Sequence, residues 1–185
     1  ESLEAGWEML GHGVTQRVIH SEPDERKVIQ QTIRMISDFT GVPLRGWMGP
    51  GLAETFDTPD ILAEEGIEYV ADWCNDDQPY EMKVKSGRLV SIPYTVEIND
   101  IPIYIVQHHR SPEIFERARD QFDTLYREGA ESARIMCTST HPYITGVPHR
   151  IKYYDMIFDY VRQFEGVVFM TGSEILDWYN ESTAD

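Results

Sequence analysis

Apolar positions in this chain follow two rhythms that take turns. Val28, Ile29, Thr32, Ile33 and Ile36 fall three and four residues apart behind the capping and acidic stretch Ser21-Glu22-Pro23-Asp24-Glu25, and the run stops at Gly41. Such spacing predicts a helix with one buried face. Thr58-Pro59-Asp60 opens a second helix that Gly66 ends, and Ser111-Pro112-Glu113 opens a third, with Phe115, Ala118, Phe122, Leu125 and Tyr126 on one side. Pro148 precedes a fourth, carrying Tyr153, Ile157, Tyr160, Val161 and Phe164, and Ser173 is placed to cap a last short one. Between these lie short apolar runs at 7–10, 44–48, 69–71, 133–138 and 167–171 that read as strands, while 1–5 read as the last turn of a helix closed by Gly6. Met82-Lys83-Val84-Lys85 and Arg88-Leu89-Val90-Ser91-Ile92 alternate around Ser86-Gly87, which predicts a β-hairpin, read as an insertion around 80–94. Helices alternating with short strands predict an α/β fold, a parallel sheet or barrel.

Length and charge narrow what such a fold would do. The 185 residues, 41% of them hydrophobic, suffice for one domain spanning 1–185. The 32 acidic residues outnumber 16 basic ones, and a net charge of −16 repels nucleic-acid phosphates and anionic lipid, which argues against both as partners. No apolar run approaches the roughly 18 residues that span a bilayer. Cys74 and Cys137 lie in unrelated patterns, so neither a disulfide framework nor a paired-cysteine metal clip is indicated, and a reducing, cytoplasmic setting is the expectation.

In sheets of parallel strands, reactive groups gather at the C-terminal strand ends. Four such ends are polar here: Gly11-His12-Gly13-Val14-Thr15-Gln16, Arg45-Gly46-Trp47-Met48-Gly49-Pro50, Asp72-Trp73-Cys74-Asn75-Asp76-Asp77 and Thr140-His141-Pro142-Tyr143. Each has a plainer reading. His12 and His141 could be hydrogen-bonded structural residues, Arg45 could pair with an acidic neighbour, Asp72 could be a turn residue and Trp73 core. His108-His109, read as strand neighbours, would point to opposite faces and could not share one metal.

Taken in order, the four strand ends resemble the motifs of the polysaccharide deacetylase superfamily, carbohydrate esterase family 4 and its relatives, over essentially the whole chain. The resemblance implies a distorted (β/α) barrel, N-terminally truncated, and hydrolysis of a carbon–nitrogen bond outside peptides, with a sugar amide or small ureide as substrate. It implies that His12 is a metal-binding histidine, hence a divalent metal such as zinc, although Gln16 stands where the family has the second histidine. It also implies that Arg45 orients the catalytic base, that Asp72 belongs to the Asp-Trp motif, that Trp73 and Trp47 line the substrate groove, and that His141 protonates the departing amine. The family's N-terminal aspartate pair, source of the base and a metal ligand, has no counterpart in this sequence, so weak or absent turnover is the expectation for these residues alone.

The stretch from Asp72 to Asp100 and the segment His141-Pro142-Tyr143 look closer to the allantoinase-like branch, part of which works without metal. On that likeness Glu97, Asn99 and Asp100 would bind a small polar amide or ureide, because such substrates need donors and acceptors at fixed spacing. The rival reading is a non-catalytic glycan or small-molecule binding module on the same fold. A truncated barrel would also leave an open edge, for which pairing with a second copy is the simplest cover.

Overall fold

The computed structural model describes residues 1–183 and divides them into two compact units, Glu1–Ile92 with the described residues from Met170 onward, and Pro93–Phe169.

The first unit is built on a four-stranded sheet. Its strands are β1 (Gly46–Trp47), β2 (Tyr69–Val70), β3 (Tyr80–Met82) and β4 (Leu89–Ser91), in the order β1-β2-β4-β3. β1, β2 and β4 run parallel, with Gly46 opposite Tyr69 and Tyr69 opposite Val90, and β3 closes the sheet antiparallel to β4. β3 pairs with β4 through Tyr80–Met82 rather than the expected Met82–Lys85, and β4 is also the parallel partner of β2.

Period-two alternation divides the strands between two cores. Val70 and Leu89 face one side, where they pack with Ile29 of α1 (Glu25–Thr40), Ile61 and Leu62 of α2 (Thr58–Glu64), and Trp47. Tyr69 and Val90 face the other, against Leu176 of the C-terminal helix Gly172–Ser182. Burial on both faces is what a parallel sheet requires of its strands. Gly46 is needed for close approach, because a Cβ there would lie 2.1 Å from the Tyr69 ring.

Local chemistry explains the helix ends. Asp24 caps α1 by accepting from the Lys27 amide at 3.0 Å, and Gly41 ends it in the left-handed region at φ 76°. The C-terminal helix is capped two residues before the expected Ser173. Thr171 is its cap, in a reciprocal box with Glu174.

The second unit is helical. It contains a π-helical turn (Ile101–Val106), α3 (Glu113–Glu128), α4 (Pro142–Thr145) and α5 (Ile151–Val161); the C-terminal helix of the first unit is α6. Ile114, Ala118 and Phe122 of α3 meet Ile157 and Val161 of α5 in one core with Ile98, Ile103, Tyr104 and Ile144. Phe122 and Phe164 pack edge-on with centroids 4.8 Å apart. His108-His109, read as strand neighbours, instead follow the π-helical turn, whose start is bent by Asn99 Oδ1 accepting from the Ile101 amide. Among the described residues, 7–10, 133–138 and 167–171 form no ladder. Single parallel bridges, Gly11 to Trp47 and Asn99 to Ser139, stand beside the first two, and Thr171 in the third is committed to its cap.

Candidate functional site

In the first unit the strand ends bring together His12, Gly49 and Asp72. The bridge from Gly11 to Trp47 sets His12 beside β1, and its Nδ1 meets the Met48 carbonyl in a short contact. Since the carbonyl only accepts, Nδ1 carries the proton there. Asp72 follows β2 and is buried, its Oδ1 accepting from the Gly49 amide at 2.7 Å. Gly49 permits this: a Cβ on it would sit 3.0 Å from the Ala53 carbonyl and 3.3 Å from Asp72 Oδ2.

Around the same point three buried side-chain atoms have no donor or acceptor: Asp72 Oδ2, Glu54 Oε1 and Trp47 Nε1. Burial, and after it the neighbouring Glu54 carboxyl, push Asp72 up to about 8, against the pull of the Gly49 amide. Burial also raises Glu54, opposed by its contacts with Asp72 and the Trp73 indole. Trp73 is 42% exposed, whereas Trp47 is fully buried.

In the second unit a parallel bridge fixes a different group. Ser139 donates its amide to Ile98 O and Asp100 donates its own to Ser139 O, so the residues that follow, Asp100 and His141, stand side by side. Asp100 is wholly buried. Its Oδ2 accepts from the His141 amide at 2.6 Å and the Thr145 hydroxyl at 2.8 Å, and its Oδ1 meets His141 Nδ1 at 2.7 Å. Nδ1 is thereby the protonated nitrogen and Nε2 is left for chemistry, on a side chain 35% exposed. Tyr143 packs edge-on against the imidazole.

Other residues marked from the sequence have partners of their own. Arg45 precedes β1, at the opposite strand end from Asp72, and its guanidinium forks to Glu68 and Asp177 with closest contacts of 2.7 Å. Those two carboxylates hold it more firmly charged than usual. Trp47 is core, with its ring against Gly11. Asp100 has both oxygens committed to His141 and Thr145, and Asn99 is occupied in its own turn. Glu97 is exposed and accepts from the Val96 amide. Glu54 and Thr145 escaped the sequence reading. Glu54 lies in the loop after β1, and Thr145 sits four residues after His141.

A zinc ion does not fit these residues by themselves. Among the described residues no three His, Cys, Asp or Glu side chains converge, His12 Nδ1 is taken by a carbonyl, and Gln16 is exposed. Among the described residues no helix is long and apolar enough to cross a membrane.

No family model matches the chain. Known structures do, over 99% of its length: an allantoinase (26% identity, TM-score 0.89) and a polysaccharide deacetylase by name from Pseudomonas aeruginosa PAO1 (25% identity, TM-score 0.90), each covered to 62%. The chain is similar in sequence and structure to members of the polysaccharide deacetylase superfamily. Its fold is the superfamily's distorted α/β barrel, of which it spans less than two thirds in these structures. Among curated proteins, a Schizosaccharomyces pombe member named for polysaccharide deacetylation is 33% identical over 116 residues, 57% of this chain and 36% of that protein. The peptidoglycan deacetylase of Helicobacter pylori is 23% identical over 209 residues, covering 95% of this chain and 71% of that protein. Within this chain, the polar groups gather in two clusters, Asp72 with Glu54 and Asp100 with His141.

Proposed function

We propose that the protein to which this chain belongs hydrolyses carbon–nitrogen bonds outside peptides, and that its substrate is a glycan carrying acetamido groups. The observation that carries this reading is the Asp100–His141 pair. Asp100 holds Nδ1–H, so that Nε2 of the imidazolium can give its proton to a departing nitrogen as the carbon–nitrogen bond breaks, and the buried carboxylate stabilises the positive ring until it does. Thr145 and the His141 amide keep Asp100 from turning away. The deacetylases among its relatives support the same class of reaction. Likeness to an allantoinase makes a small cyclic ureide the second substrate class to test, since its ring opening also breaks a carbon–nitrogen bond and leaves a nitrogen to be protonated.

Acetate release from N-acetylglucosamine oligomers and ring opening of allantoin would be measured side by side for the full-length protein and its His141→Ala variant. The variant is expected to lose about 10²-fold or more in kcat, the usual contribution of a positioned general acid. Undiminished turnover in the variant would remove His141 from the chemistry.

A further inference from the structure

Two of the buried atoms near Gly49 pose a specific problem. Asp72 Oδ2 and Glu54 Oε1 are both carboxyl oxygens, both shielded from solvent, and neither meets a donor. Yet the two carboxyls are in mutual contact. Two acceptors facing each other repel, and burial deepens the cost because no solvent screens them. One proton placed between them turns both orphaned oxygens into a donor and its acceptor.

We propose that Asp72 and Glu54 share a single proton at neutral pH and that this pair positions the exposed Trp73 indole. The inference rests on the glycan reading above for the ligand, but not for the proton. Asp72 is the inner member, anchored through Oδ1 to the Gly49 amide, and Glu54 the outer, touching the Trp73 indole. The elevated titration of Asp72 agrees with this arrangement. Glu25 of α1, which accepts from the Thr55 and Thr58 hydroxyls, also bears on Glu54 and disfavours negative charge there. Loss of the shared proton leaves two buried anions in contact. Glu54 then swings away from Asp72, and the indole it holds goes with it. Asp72 and Glu54 are thus positioning residues, and the group they place is an aromatic face of the kind on which sugar C–H groups stack.

Two variants replace the shared proton by an amide N–H of the same shape: Asp72→Asn and Glu54→Gln. Infrared spectra of the wild-type protein at neutral pH should contain a protonated-carboxyl stretch that is missing from both variants, each checked by circular dichroism for an intact fold. A wild type without that band, or a band unchanged in both variants, overturns the shared proton whatever the enzyme's substrate proves to be. With chito-oligosaccharide as substrate, wild-type KM should climb about tenfold per pH unit once the pair ionises, while KM of Asp72→Asn stays flat. An equal climb in the variant overturns the positioning of Trp73.

Discussion

Asp100 offers the sharpest separation of folding from chemistry. Replacement by Ala strands the His141 amide and the Thr145 hydroxyl, which meet it at 2.6 and 2.8 Å in a place with no solvent access for Asp100 itself. Each buried donor without a partner costs about 1–3 kcal/mol, so Asp100→Ala should lose about 4 kcal/mol. The imidazole adds little to that sum, because its side chain is 35% exposed and can be rehydrated. With a urea slope of about 2 kcal/mol/M, the unfolding midpoint should fall by about 2 M. Asp100→Asn is a different perturbation: its amide oxygen can still serve the His141 amide and Thr145, while its NH₂ faces His141 Nδ1 and drives the proton to Nε2. That variant should lose only about 1–2 kcal/mol of stability yet about 10²–10⁴ in kcat, because the ring can no longer carry both protons at low cost. Urea melts and steady-state kinetics on the same preparations test both halves. An Asp100→Ala midpoint within about 0.5 M of wild type would refute the energy accounting, and full activity in Asp100→Asn would refute the tautomer argument.

Three further outcomes follow from features outside that pair. Arg45→Ala should cost about 1 kcal/mol, a modest loss because the partners Glu68 and Asp177 are about half exposed, and should leave the pH profile of turnover unchanged; a large kcat effect would return Arg45 to the site. Thr171→Ala removes the α6 capping box and should lower unfolding free energy by about 1 kcal/mol in a denaturant melt. Asp72 binds its proton more tightly folded, at about 8, than unfolded, near its ordinary 3.8. The stability it contributes is therefore complete below the unfolded value and is lost as pH rises through the folded one. Asp72→Asn should be close to wild type in acid and gain on it by a few kcal/mol above pH 8, read from melts across pH; parallel curves would contradict the raised titration.

Legibility in the sequence followed the range of the interactions. α1 could be read because its cap, its face and its terminal glycine lie within one stretch, from Asp24 to Gly41. His141 and Asp72 could be marked because they follow apolar runs, and the resemblance they supported agrees with the structures that match. Partners were another matter. The sequence hides the partners of Asp100 and Arg45, because His141 lies 41 positions from the first and Asp177 132 positions from the second. Trp47 drew attention as an aromatic at a strand end, but its two-residue strand is buried on both sides. Thr171-Gly172-Ser173-Glu174 carries a readable signal, a Thr three residues before a Glu, which makes Thr171 rather than Ser173 the cap.

Glu8 gives the C-terminal helix its meaning for how the chain is made. Its carboxylate takes the Tyr69 hydroxyl, the Ser173 amide and the Ser173 hydroxyl, tying the start of the chain and the middle of the sheet to the beginning of α6. On a ribosome, the face of the sheet carrying Tyr69, Val90 and Ile92 is synthesised long before Leu176, which covers it. Pro93–Phe169 emerges in between and has its own core to assemble. The unit begun first is thus completed last, and its half-covered sheet is the interval in which a nascent chain would most need a chaperone.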